Sequence, residues 1–159
     1  MTSTAYVGVG ANLGDAQQTV RAAITAMTTL AHTRVAACSS LFTSAPIDAG
    51  GNDFINAVAR LETDLPAQSL LDNLQRIELA FGRERPFRNA PRTLDLDLLI
   101  YDQLEMSSDT LQLPHPRMSD RAFVLLPLLE LAPDIHIPGK GAARDYLPAV
   151  SNQKIERLR

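Results

Sequence analysis

Apolar positions change their period several times along the chain, and each change predicts an element. Ala5-Tyr6-Val7-Gly8-Val9-Gly10 is short, apolar and ends in glycine punctuation, which predicts a buried strand. Asp15 stands three residues before Gln18 in a capping-box arrangement, and Val20, Ala23, Ile24, Met27 and Leu30 then recur at three and four. Residues 15–31 therefore read as an amphipathic helix. Val35, Leu41 and Phe42 among small and hydroxyl residues predict a strand within 33–43, and 54–63 predicts a clearer one. Between them Ser44 to Asp53 holds Pro46, Gly50, Gly51 and Asn52, a loop too long for a tight hairpin.

Pro66 suits the first turn of a helix, with Asp64 as its cap, and Leu70, Leu74, Ile77 and Phe81 mark an apolar face that Gly82 stops. Leu94 to Tyr101 then begins with strict apolar–polar alternation, as a strand does. The order βαββαβ is that of an α+β, ferredoxin-like core, an antiparallel sheet with both helices on one face. Pro127, Pro133 and Pro138 interrupt the later apolar pieces, so 102–159 is expected to add short helices and strands as a C-terminal extension. Nothing recognisable marks the stretch after 138. No repeat or linker divides 1–159, which predicts one domain.

Composition narrows the class. With 45% hydrophobic and 21% charged residues the chain has the balance of a folded soluble domain. No apolar run reaches the roughly 18 residues of a membrane span, and Met1 to Thr4 lacks signal-peptide character, so a cytoplasmic location is expected. Cys38 is the one cysteine, which excludes an internal disulfide and a cysteine zinc site. A net charge of −3 gives no general attraction to nucleic acid. Thirteen of the fifteen basic residues are arginine, however, and Arg83, Arg85, Arg88 and Arg92 fall within ten positions. That cluster reads either as a solvated basic loop or as a local anion site, and the scarcity of lysine favours the anion.

Asp95 and Asp97 sit two apart on the predicted strand, so both leave one face with Cα atoms ~6.5 to 7 Å apart. Alone, such a pair reads as the solvated face of a half-buried strand. Beside four arginines it suits two magnesium ions clamping a polyphosphate, because hard oxygen ligands match that ion. Gln75 and Glu78, at the border of the helix stripe, are on their own surface residues that could face a cleft. His115, held between Pro114 and Pro116, suits a phosphate contact; Phe54 and Phe123 are by default core residues. The glycines at 8, 10 and 14 fit a tight strand-to-helix turn better than a dinucleotide fingerprint.

The run Arg88-Asn89-Ala90-Pro91-Arg92-Thr93-Leu94-Asp95-Leu96-Asp97-Leu98-Leu99 resembles the central motif of the 6-hydroxymethyl-7,8-dihydropterin pyrophosphokinases. The similarity extends over about residues 5 to 135, through Gly10 to Gly14, Phe54 to Ala57, Gln75 to Glu78, Gly82 to Arg85, Pro114 to Met118 and Arg121 to Phe123. It implies a ferredoxin-like fold and transfer of pyrophosphate from ATP to the pterin hydroxymethyl group, releasing AMP, in folate biosynthesis. By the same resemblance Asp95 and Asp97 bind two Mg2+ ions. Gln75, Glu78, Arg85, Arg92, Leu98, His115 and Arg121 surround ATP, and Arg83 and Arg92 assist transfer. Phe54 and Phe123 sandwich the pterin ring, whose polar edge is read by Asn56 and by Ser44, Pro46 and Ile47.

Stacking between two aromatic faces suits a flat heteroaromatic ring, and positioning with charge stabilisation suits phosphoryl-type transfer without a strong base. Ser44 stands where many relatives have Thr, and Asn89 where some have Trp. Two rival classes fit parts of the pattern: another two-metal phosphoryl transferase, which would not need Phe54, Asn56 and Phe123, and a non-catalytic ferredoxin-like module. Pro86, Pro91 and the clustered arginines also predict a lid over 83–91 that closes only when ATP, magnesium and the pterin are all present. A monomer that binds neither nucleic acid nor membrane is expected.

Overall fold

A computed structural model describes residues 2–45, 53–82 and 94–158. Residues 46–52 of the loop predicted from Ser44 to Asp53, and 83–93 with the predicted lid over 83–91, lie outside the described residues.

One sheet organises the chain. β1 (Ser3–Ala11) lies between β4 (Phe54–Thr63) and β5 (Asp95–Tyr101), all antiparallel, as the ferredoxin-like order requires. The strand expected over 33–43 is two strands, β2 (Thr33–Cys38) and β3 (Phe42–Ser44), which pair with successive halves of β4. Ser39 makes the break: its N–H donates to Val58 O at 2.9 Å while its Oγ accepts from Val58 N–H at 2.9 Å. The hydroxyl thus takes a place in the ladder that a backbone carbonyl would hold, and the strand turns there.

α1 (Ala16–Met27) starts where expected, with Gln18 N–H donating to Asp15 Oδ1 at 3.2 Å. It ends four residues before the predicted limit, because the Thr28 and Thr29 hydroxyls donate to Thr25 O and Ala26 O at 2.6 and 2.7 Å. α2 (Ala67–Ala80) is capped at Pro66 and not by Asp64, whose carboxylate accepts from Thr2 Oγ1 instead. Both helices cover one sheet face, where Val20, Ala23, Met27, Leu70, Leu74 and Ile77 pack on Ala5, Val7, Val9, Ala57, Leu61 and Leu98.

The other face is shared. One end of it packs beneath α3 (Ala122–Leu131), which joins Val124, Leu125 and Leu128 to Tyr6, Val58 and Leu99. Pro127 lies inside this helix rather than ending it. The burial of Pro127 itself and of its neighbours Val124, Leu125 and Leu128 outweighs the one backbone bond that proline removes. The rest of the extension comprises two small hairpins, β6 (Met106–Ser107) with β7 (Gln112–Leu113) and β8 (His136–Ile137) with β9 (Gly141–Ala142), three short 3-10 helices (Met118–Asp120, Ala143–Tyr146 and Pro148–Val150), and a final strand β10 (Ile155–Arg157) that pairs with β3.

Candidate active site

The uncovered end of that second face holds a polar stripe. Asp95, Gly10 and Asn56 are paired across β5, β1 and β4, and Asp97, Gly8 and Val58 form the next row. Paired residues of an antiparallel sheet point to one side, so the two carboxylates and the Asn56 amide rise from the same floor. Between them stand only glycines. A Cβ at Gly10 would lie 3.1 Å from Asn56 Oδ1, so the bare backbone keeps the space above it open. Gly8 and Gly10, expected to punctuate the end of the strand, are instead strand residues that shape the site; the left-handed turn falls at Gly14, φ 59°.

Asn56 is buried, and its Nδ2 donates to Ser44 Oγ at 2.7 Å on the neighbouring strand. That bond fixes which end of the amide faces the cavity. Phe54 and Phe123 are both half-buried and line the same space, a cavity of about 420 Å³ with Ser44, Asn56, Asp95, Asp97 and Arg121 in its wall. The Arg121 guanidinium carbon lies 5.4 Å from the Phe123 ring centroid, a cation–π contact. Arg121 Nε is buried and makes no hydrogen bond among the described residues.

A second cleft of about 230 Å³ opens on the far side of Asp97. Gln75, Glu78, Leu98 and His115 line it, together with Leu71, Thr110, Leu111 and Gln112, which the sequence did not single out. Glu78 is not a surface residue: it is buried in the α2 stripe and its Oε2 accepts from Leu96 N–H at 2.8 Å. A β-bulge brings His115 to the same place. Between the pairs Val7–Leu98 and Tyr6–Ile100 one residue, Leu99, is left over, and its carbonyl accepts from His115 N–H at 2.8 Å.

The His115 ring accepts at Nδ1 from Arg117 N–H, 3.2 Å away, which leaves Nε2 as the protonated nitrogen of the neutral ring. Burial, aided by Arg121 and Arg117 and opposed by Asp97, holds its pKa below the ordinary 6.5. At neutral pH it is an uncharged donor.

Residues 6–133 match the 7,8-dihydro-6-hydroxymethylpterin-pyrophosphokinase (HPPK) family. The chain belongs to this family. HPPK relatives are similar to it throughout: the Pseudomonas aeruginosa 2-amino-4-hydroxy-6-hydroxymethyldihydropteridine pyrophosphokinase is 42% identical over 99% of this chain and 98% of its own. The Haemophilus influenzae pyrophosphokinase is 37% identical over 98% of each. Solved structures share the HPPK fold: a Plasmodium falciparum HPPK-DHPS superposes with a TM-score of 0.76 over 99% of this chain, at 11% identity. The chain spans just under half of that longer protein, 46%. As an HPPK member the chain is an ATP-dependent diphosphotransferase acting on hydroxymethyldihydropterin in folate biosynthesis.

Of the predicted HPPK site residues, Ser44, Phe54, Asn56, Asp95, Asp97, Arg121 and Phe123 come together in the larger cavity, and Gln75, Glu78, Leu98 and His115 in the cleft beside it. Pro46, Ile47, Arg83, Arg85 and Arg92 lie outside the described residues. The donor set fits magnesium: Asp95 and Asp97 are half-exposed carboxylates on one face, and no group of three or more acidic, histidine or cysteine side chains surrounds them among the described residues. Magnesium uses one or two carboxylates and takes its remaining oxygens from water and phosphate.

Proposed function

We propose that this chain joins the diphosphate of ATP to the hydroxymethyl oxygen of 6-hydroxymethyl-7,8-dihydropterin in the larger cavity, in the cytoplasm, as a single domain over 1–159. The observation that carries the reading is the place of Asp97, which lines both the aromatic cavity and the Gln75–His115 cleft. A carboxylate shared by two adjoining spaces suits a reaction in which two substrates meet.

The pterin lies against Phe54 and Phe123, with its amide edge on Asn56, whose Oδ1 accepts ring N–H groups above Gly10. ATP occupies the cleft, where neutral His115 donates to phosphate oxygens and Gln75, Glu78 and Leu98 bound the nucleoside, while Arg121, in the wall of the larger cavity that shares Asp97, meets the phosphates from that side. Arg85 and Arg92 also meet the triphosphate, and Arg83 and Arg92 assist transfer, as their match to the family motif implies. Asp95 and Asp97 would hold two Mg2+ ions, whose chemistry is to neutralise phosphate oxygens in an in-line displacement. The hydroxymethyl oxygen forms a bond to the β-phosphorus, the bond from that phosphorus to the oxygen of AMP breaks, and the hydroxyl proton passes to solvent.

The protein's task is to orient and to stabilise charge, which agrees with the lack of a poised base beside the carboxylates among the described residues. The test is product analysis with the pure protein, ATP and magnesium. AMP should appear in step with pterin diphosphate, and neither should form without the pterin or with simple alcohols in its place. Release of ADP, or AMP release indifferent to the pterin, would overturn the reading.

A further inference from the structure

The Gln153 side chain bridges two backbone groups at the entry to α3. Its Oε1 accepts from Ala122 N–H at 2.9 Å and its Nε2 donates to Asp120 O at 2.8 Å. The helix has no side-chain cap of its own at Arg121, and a residue far along the chain satisfies its first amide, one of the four that no intrahelical carbonyl can reach. Between the two anchored groups lies Arg121, and Phe123 follows directly.

The same few residues also hold the opposite wall. Lys154 O accepts from Ala45 N–H at 3.3 Å, and Ile155 pairs with Ser44, whose hydroxyl meets Asn56. Residues 153–155 therefore fasten the Phe123 wall and the Ser44 wall of one cavity to each other. Phe123 packs on the core beneath α3 but is only half-buried, and a cavity of about 390 Å³ lined by Ser44, Ala122, Phe123, Gln153 and Lys154 borders it on the Gln153 side.

We infer that Gln153 is a positioning residue for the pterin site, setting the distance between Phe123 and the Ser44–Asn56 edge through its paired bonds to Asp120 and Ala122. The inference rests on the reading of the larger cavity as the pterin site. It weighs unequally on the two substrates: the cleft that takes ATP is bounded chiefly by α2, β5 and the His115 turn, none of which Gln153 touches with a hydrogen bond, so that ATP feels its loss only through Arg121.

The experiment measures equilibrium binding of the pterin and, separately, of a non-hydrolysable ATP analogue with magnesium, for the full chain and three variants. Gln153→Met keeps length and removes both bonds; it should raise the pterin Kd about tenfold and the analogue's Kd, which feels the change only through Arg121, by no more than about threefold. Gln153→Glu retains the acceptor for Ala122 N–H and loses the donor to Asp120 O, so it should fall between, and it carries the test if the Met variant does not fold. Val20→Ala, at a fully buried site in α1, supplies a matched loss of thermal stability and should change neither Kd. An unchanged pterin Kd in the Gln153 variants, equal losses for both ligands, or the same pterin loss in Val20→Ala overturns the inference. A wild-type chain that binds no pterin overturns the functional reading beneath it, and is told apart because no variant is needed to see it.

Discussion

Asn56 donates from Nδ2 to Ser44 Oγ at 2.7 Å, and its Oδ1 therefore lies over Gly10, where a Cβ would stand only 3.1 Å away. One hydroxyl sets the polarity of the amide and one missing side chain gives it room. Gly10→Ala should raise the pterin KM and leave ATP binding near wild type, since the added methyl crowds Asn56 rather than the cleft. Asn56→Ala should cost about 1–3 kcal/mol of pterin binding, the scale of a buried polar group left unmatched. Steady-state kinetics with each substrate varied in turn checks both, and a Gly10→Ala enzyme with an unaltered pterin KM would show that the floor is not where the ring rests.

Loss of either carboxylate should stop turnover without unfolding the chain. Asp95→Asn and Asp97→Asn each keep size and hydrogen bonding while weakening the metal site, and both positions are only half-buried. A rate loss of at least about a hundredfold is expected, from several kcal/mol of transition-state charge stabilisation. Circular dichroism should stay native. Near-normal rates at saturating magnesium in either variant would remove the pair from the mechanism.

Phe54 and Phe123 approach the cavity from the sheet and from α3 respectively, so they should act on the pterin together and on ATP little. Phe54→Ala and Phe123→Ala are each expected to weaken pterin binding by about 1–3 kcal/mol, as at other aromatic platforms. Titration calorimetry with both ligands separates this from a general defect. Equal loss of both would mean that the rings serve the core.

The low pKa of His115 makes a prediction about acid. Its folded pKa lies below 6.5, mainly through burial, so just under that pH the folded chain binds fewer protons than the unfolded one. The stability contributed by the neutral ring is then complete above 6.5 and is lost as pH falls through the folded value. With chelator present to exclude metal, the urea midpoint of the wild type should fall more steeply than that of His115→Gln as the pH is lowered from 6.5. Parallel curves would mean that His115 titrates as in the unfolded chain.

Local pattern was enough to read much of this fold. β4 occupies the predicted residues 54–63, and α2 runs from Ala67 to Ala80 within the predicted 66–81, because alternation and the three-four period are properties of the chain itself. What failed to show was set by partners distant in sequence. The break at Ser39 depends on Val58, the leftover Leu99 on the register with β1, and the persistence of α3 through Pro127 on the sheet beneath it. The site followed the same rule. Asp95 and Asp97 were visible as a spacing and the aromatic pair through the family motif, whereas Gly8 and Gly10 gain their meaning only from facing Asn56 and the carboxylates. Thr110 to Gln112 carried no signal, since nothing in so short a polar turn says that it borders Gln75.

Among the described residues β5 is the last strand on its side of the sheet, and it carries both aspartates. A strand in that position offers unpaired amides and carbonyls to any other extended chain, a route to self-association that proteins commonly block with charge, bulges or cover. Here the Glu78 carboxylate takes Leu96 N–H, the His115 backbone takes Leu99 O, and the bulge at Leu99 interrupts the flat repeat. Two residues assigned to the nucleotide thus also keep the catalytic strand from recruiting a neighbour. Their replacement is a matter of solubility as well as of affinity, and a Glu78→Ala protein that precipitates would be reporting an exposed seam rather than a failed active site.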